Sequence, residues 1–133
     1  MKKFLLASIL FITVVNADYI KWYSDYDRGH KESLKENKNI MLFLSDDSIE
    51  SKKMFKETFL NKNLIKFINK NYVSIHLPFG TDQFPLELYY TLDAPSLFFA
   101  TNYEIIIGEK ITGHISGVKL LKLLKKNKDL DNE

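Results

Sequence analysis

The chain has 133 residues, five Gly, three Pro and no Cys, a length that suits one domain, since single cores usually run to ~100–150 residues. With 45% hydrophobic and 14% aromatic residues it can bury a core, which excludes wholesale disorder. The lack of Cys excludes disulfides, thiolate metal ligands and thiol chemistry, and a formal charge of +2 is too small to suggest a nucleic-acid binder.

Residues 1–17 read as a secretory signal. Lys2 and Lys3 start the chain, an apolar run of 12 residues from Phe4 to Val15 is interrupted only by Ser8 and Thr13, and Val15-Asn16-Ala17 forms a small-residue cleavage site before Asp18. As a helix the run rises ~18 Å, short of the ~30 Å hydrocarbon core. No Cys is present for acylation, so a lipoprotein is excluded. Removing residues 1–17 leaves 17 basic against 17 acidic residues. A neutral 18–133 domain has no net attraction for nucleic acid or anionic lipid. The expectation is an exported bacterial protein, periplasmic or secreted, that meets the membrane only transiently through its signal.

Within 18–133, alternating bulky residues over 19–23 predict a short strand or packing arm. A polar helix follows over 24–37, capped by Ser24 or Asp25. The apolar run Asn39-Ile40-Met41-Leu42-Phe43-Leu44 fits a strand buried on both faces. Asp47 with Glu50 three residues later predicts a capping box opening a helix to about residue 70, with a break at Asn61-Lys62-Asn63. Alternation predicts a strand over 72–77, then a turn over 78–82 and a short helix over 83–92. Strands over 96–100 and 103–112 are joined by Thr101-Asn102 as a hairpin. An amphipathic helix over 116–126 ends in Lys125 and Lys126, which suit the helix dipole, and a polar tail closes the chain. Strands linked through helices are parallel, with right-handed crossovers. The order predicts an α/β fold with a mixed central sheet and helices on both faces.

That order, with the residues at its junctions, resembles the thioredoxin fold, and specifically the exported thioredoxin-like proteins of bacteria. Phe43-Leu44-Ser45-Asp46-Asp47 leads into Ser48-Ile49-Glu50-Ser51 and Lys52-Lys53-Met54, where the family has a strand, a loop, Cys-x-x-Cys and a helix. Ala94-Pro95-Ser96-Leu97-Phe98-Phe99 resembles the family's cis-proline segment, and Ile111-Thr112-Gly113-His114 the glycine before its last helix. The resemblance spans Ile20 to about Leu124. It puts Ser48 and Ser51 where the family carries its cysteines. Disulfide exchange needs a thiolate attacking sulfur, so a chain with serines there is expected to be redox-inactive and not an enzyme, with no cofactor.

The resemblance also implies a binding surface. In the family the residue before the cis-proline offers its backbone to an extended peptide, a form of strand addition. Carried over, Ala94 supplies those groups, Pro95 shapes the groove, Ser48, Ile49, Glu50 and Ser51 line it, and Ile49 is its exposed apolar contact. The same residues also serve as a plain helix cap with nothing bound, and both readings stay open.

Other constellations carry less. His30, His76 and His114 have no partner at ligand spacing, so no metal site is expected. A hydrolase built on Ser48 or Ser51 lacks a Gly-x-Ser-x-Gly elbow and a nearby His. Gly80 and Gly108 stand alone, without a phosphate loop. Lys119, Lys122, Lys125 and Lys126 read as a solvated helix face. The expected function is a chaperone-like or accessory module that binds an exported protein or extended peptide segment. The alternative is a structural or assembly scaffold whose useful surface lies elsewhere, on the helices or the 19–23 arm.

Overall fold

The computed structural model describes residues 19–131, so the signal expected over 1–17 lies outside the described residues. The elements are β1 (Trp22–Tyr23), α1 (Tyr26–Glu36), β2 (Asn39–Ser45), α2 (Ile49–Lys56), a 3-10 turn (Thr58–Leu60), α3 (Lys62–Asn71), β3 (Tyr72–Pro78), β4 (Ser96–Ala100), β5 (Ile111–Thr112) and α4 (Gly117–Asp131). They build one five-stranded sheet in the order β1-β3-β2-β4-β5. β1, β3 and β2 run parallel, and β4 and β5 continue antiparallel, so the sheet is mixed.

Strand alternation sends side chains to two faces. Met41, Phe43, Leu97 and Phe99 meet Met54 of α2, Leu64 and Ile68 of α3, and Leu120 and Leu124 of α4. Ile40, Leu42, Leu44, Ile75 and Phe98 face Tyr26 of α1 and Tyr89. Helices therefore cover both faces, and β2 is buried on each.

The long helix expected after the capping box is divided as the Asn61-Lys62-Asn63 break suggests. Asn61 caps α3, its Oδ1 accepting from the Leu64 N–H at 3.0 Å. α4 starts hard against that cap, and a Cβ on Gly117 would lie 2.7 Å from the Asn61 Cβ.

Four expectations are corrected. Residues 83–92 form no helix. Leu88 and Tyr89 donate to the Pro85 carbonyl at 3.1 and 3.2 Å, and the turn goes no further. Tyr89 is drawn into the core while Leu86 and Tyr90 stay exposed, so the segment lacks the continuous apolar stripe that holds a short helix on a sheet. The strand expected over 103–112 survives as an isolated Ala100–Ile106 bridge and the two residues of β5. Phe99 O accepts from Ile107 N–H at 2.8 Å whereas Leu97 pairs with Ile111. Two extra residues therefore bulge at Gly108-Glu109, where Gly108 has φ 68°. The hairpin turn is also wider than Thr101-Asn102: Thr101 N–H reaches Ile105 O at 2.8 Å, with Glu104 left-handed at φ 64°. Finally, α4 runs beyond residue 126 into the stretch expected as a tail.

A polar network ties the irregular segments to α1. The Tyr26 hydroxyl bonds to the Tyr89 hydroxyl at 2.7 Å and donates to Glu104 Oε2 at 2.8 Å. His30 Nε2 bonds to Asn102 O at 2.9 Å. Burial raises both phenol pKa values, that of Tyr89 to about 12, so both stay protonated donors.

Candidate functional site

The candidate site lies at the C-terminal end of β2, where the chain turns into α2. Ser48 is the N-cap, with extended backbone and an Oγ that accepts from Ser51 N–H at 3.1 Å. The helix thus starts one residue later than the Asp47–Glu50 box requires, and Asp46 supplies the second anchor. Asp46 Oδ1 accepts from Ser48 N–H at 3.0 Å and from the Ser51 hydroxyl at 2.8 Å, while Asp46 N–H donates to Ser51 Oγ at 3.0 Å. Hydrogen bonds from Ser48, side chain and backbone, and then from Ser51 hold the Asp46 carboxyl below the usual carboxylate value. The ring of bonds uses up the Ser51 hydroxyl, and Ser51 is only 1% exposed.

Ile49 and Glu50 point outward from the same turn. Ile49 is 74% exposed, although an isoleucine of its size would gain ~1.5–3 kcal/mol from burial. Glu50 leans toward β5, where its Oε2 would lie 3.2 Å from a Cβ on Gly113. Gly113 has φ 81°, a conformation that favours glycine.

Opposite α2, the Ala94-Pro95 bond is cis. The Pro95 carbonyl accepts from Gly113 N–H at 2.8 Å, which fastens this segment to the end of β5. The loop before it is tied to itself, with Ser96 Oγ donating to Asp93 O at 2.7 Å and Thr91 Oγ1 to the same carbonyl at 3.1 Å. Among the described residues neither the N–H nor the C=O of Ala94 forms a hydrogen bond. An open cleft of about 480 Å³ adjoins it, lined by Glu50, Asp93, Ala94, Thr112, Gly113 and His114.

The structure therefore brings Glu50 and Ala94 into one cleft, with buried Pro95 behind Ala94 and Ile49 exposed beside Glu50 in the first turn of α2. It seats Ser51 below the surface and uses Ser48 as the cap. Sequence reasoning missed Asp46 and Asp93. An acidic residue two positions before a serine N-cap is a legible signal for the first; nothing local marks the second.

Beneath the site, Ser45 Oγ and His76 Nε2 share a hydrogen bond of 2.6 Å. The His76 ring lies among Trp22, Phe43 and Phe55, and burial holds its pKa below the usual 6.5. His114 bonds to Thr58 Oγ1 at 3.3 Å and lies 3.9 Å from Glu57. Among the described residues no group of three or more His, Asp or Glu is placed to hold a metal ion. No helix of the described residues is long and apolar enough to cross a membrane.

The parallel β1-β3-β2 half, antiparallel β4 and β5, helices on both faces and the cis-proline opposite the start of α2 define a thioredoxin-like fold. Similar solved structures include a DsbH oxidoreductase, at 17% identity over 90% of this chain and 93% of that one, with a TM-score of 0.66. A thioredoxin from Thermus thermophilus is 14% identical over 81% of this chain and 86% of its own, at 0.68. The oxidised C-terminal domain of Neisseria meningitidis DsbD is 18% identical over 80% of this chain and 99% of its own, at 0.63. No family model and no curated relative matches the chain.

Proposed function

We propose that the chain is an exported, redox-inactive thioredoxin-like module that holds an extended protein or peptide segment at the Ile49–Ala94 edge. Ser48 and Ser51 stand at the positions of the cysteines in redox-active relatives, and the helix they cap is kept as a wall of the binding site. The module is not an enzyme; its role is that of a chaperone-like or accessory factor for exported proteins. The observation that carries this reading is the unspent backbone of Ala94, in a cleft it shares with Glu50, whose chain neighbour Ile49 is exposed. An extended segment would complete the hydrogen bonds of Ala94 and cover Ile49, so backbone supplies affinity and side chains specificity. Glu50 and Asp93, both in the cleft lining, would favour a basic side chain on that segment.

Photo-crosslinking in living bacteria tests it, with the crosslinker at Ile49 and a control at exposed Lys31 on α1. Capture of a discrete exported protein at Ile49 and not at Lys31 is expected. Capture at both sites alike, or at neither, would overturn the reading.

A further inference from the structure

α4 and β5 leave a second concave surface whose chemistry is opposite to that of the Ala94 cleft. An open groove of about 690 Å³ runs between them, with Ile111, Ile115 and Leu123 forming its apolar floor. At Ile111 and Leu123 it joins a further cleft of about 290 Å³ that continues along α4 to Asn127. Leu123 is 42% exposed, although its neighbours Leu120 and Leu124 are buried in the core. A single exposed leucine is ordinary, but here Leu123 stands beside the half-buried Ile111 and Ile115 in one concave strip.

Lysines edge this strip. Lys119 and Lys122 line the groove from successive turns of α4, three residues apart and therefore on one side of the helix. Among the described residues neither has a carboxylate partner. A carboxylate enters the lining at the far end, from Glu109. The outer edge of β5 offers little for strand addition, because the strand is two residues long and follows the Gly108-Glu109 bulge. An occupant would lie on the side chains of the groove.

We propose that this groove docks an acidic segment of a partner protein, with apolar side chains over Ile111, Ile115 and Leu123 and carboxylates against Lys119 and Lys122. Charge complementarity chooses the occupant: apolar area supplies the attraction, and the unpaired lysines select an acidic segment over a neutral or basic one. The groove meets the Ala94 cleft at His114, but the inference does not depend on what binds at Ala94.

The test is a titration of the methyl-labelled chain with two synthetic peptides, followed by NMR. Both carry the same alternating leucines, one with aspartates between them and the other with lysines. The aspartate peptide is expected to shift the methyls of Ile111, Ile115 and Leu123 saturably, and the lysine peptide to leave them unmoved. Lys119→Glu with Lys122→Glu, at exposed positions that keep the fold, should weaken the aspartate peptide about tenfold or more. Equal shifts with both peptides, or shifts confined to Ile49, would overturn the inference. So would shifts that track protein concentration alone, which would make a second copy the occupant, or stronger shifts with sodium laurate, which would make it an acyl chain.

Discussion

The two walls of the Ile49–Ala94 edge differ in how their polar groups are used. At the start of α2, Asp46, Ser48 and Ser51 close a ring of hydrogen bonds upon themselves, and Ser51 is buried. Across the cleft, Pro95 is fastened to Gly113 and the loop before it is tied internally, yet among the described residues the backbone of Ala94 has no hydrogen-bond partner. One wall has closed its polar groups within the chain, and the other keeps a donor and an acceptor in reserve. Changes within the hydrogen-bonded ring should therefore move stability and leave binding alone, whereas changes at exposed groups outside the ring should do the reverse.

The largest expected effect comes from the seat of the closed wall. Met54 of α2 is fully buried in the core cluster beneath the site, and Met54→Ala should cost about 2–5 kcal/mol, read by denaturant unfolding. A loss under about 1 kcal/mol would show that α2 is not anchored as described. Next comes Ser51→Ala, which removes the hydroxyl shared by the Asp46 N–H and carboxylate and should cost about 0.5–1.5 kcal/mol, since water reaches the exposed Asp46 in its place. If Ser51→Ala instead abolished partner capture at Ile49 while leaving stability intact, the division between the walls would fail.

Below these stands a pH effect at His76. Its folded pKa is depressed below 6.5, so the unfolded chain takes up a proton first as the pH falls. The stability contributed by neutral His76 is present above about pH 6.5 and is lost as the pH drops toward the folded value. Urea midpoints measured between pH 7.5 and pH 5 should fall, and His76→Phe, which suits the neighbouring Trp22, Phe43 and Phe55 rings, should flatten that slope. An unchanged slope in the variant would place the titration elsewhere. The smallest stability effect belongs to an exposed side chain of α2 that lies outside the closed ring. Ile49→Ser at a 74% exposed position should change stability by no more than ~0.5 kcal/mol, yet remove crosslinked partner at the neighbouring Glu50.

Much of the fold was legible because β2, β3 and β4 carry strong local patterns. Within β2, Ile40-Met41-Leu42-Phe43-Leu44 is a continuous apolar run, and Ser96–Ala100 is buried at every residue. The region between and beyond them was not. Pro85 and the inward Tyr89 defeat the helix expected over 83–92, and Tyr89 is held by a hydroxyl from α1, 63 residues earlier. Likewise, Gly108 inside the expected strand over 103–112 permits a bulge, but the size of the two-residue bulge at Gly108-Glu109 depends on what β4 presents opposite. Local pattern reports which residues prefer to be buried; it does not report long-range polar ties. The candidate site divides the same way. Ile49, Glu50 and Ala94-Pro95 follow from their motifs, whereas Asp93, Thr112 and His114 reach the cleft only through the pairing of β4 with β5.

The most direct measurement is amide hydrogen exchange at Ala94, read by NMR in the chain alone and with the segment captured at Ile49. Open in the free chain and slowed in the complex, while the Ser51 amide holds its protection in both, is the result expected of a backbone held in reserve. Equal exchange at Ala94 in the two states, with protection appearing elsewhere, would contradict binding at this edge.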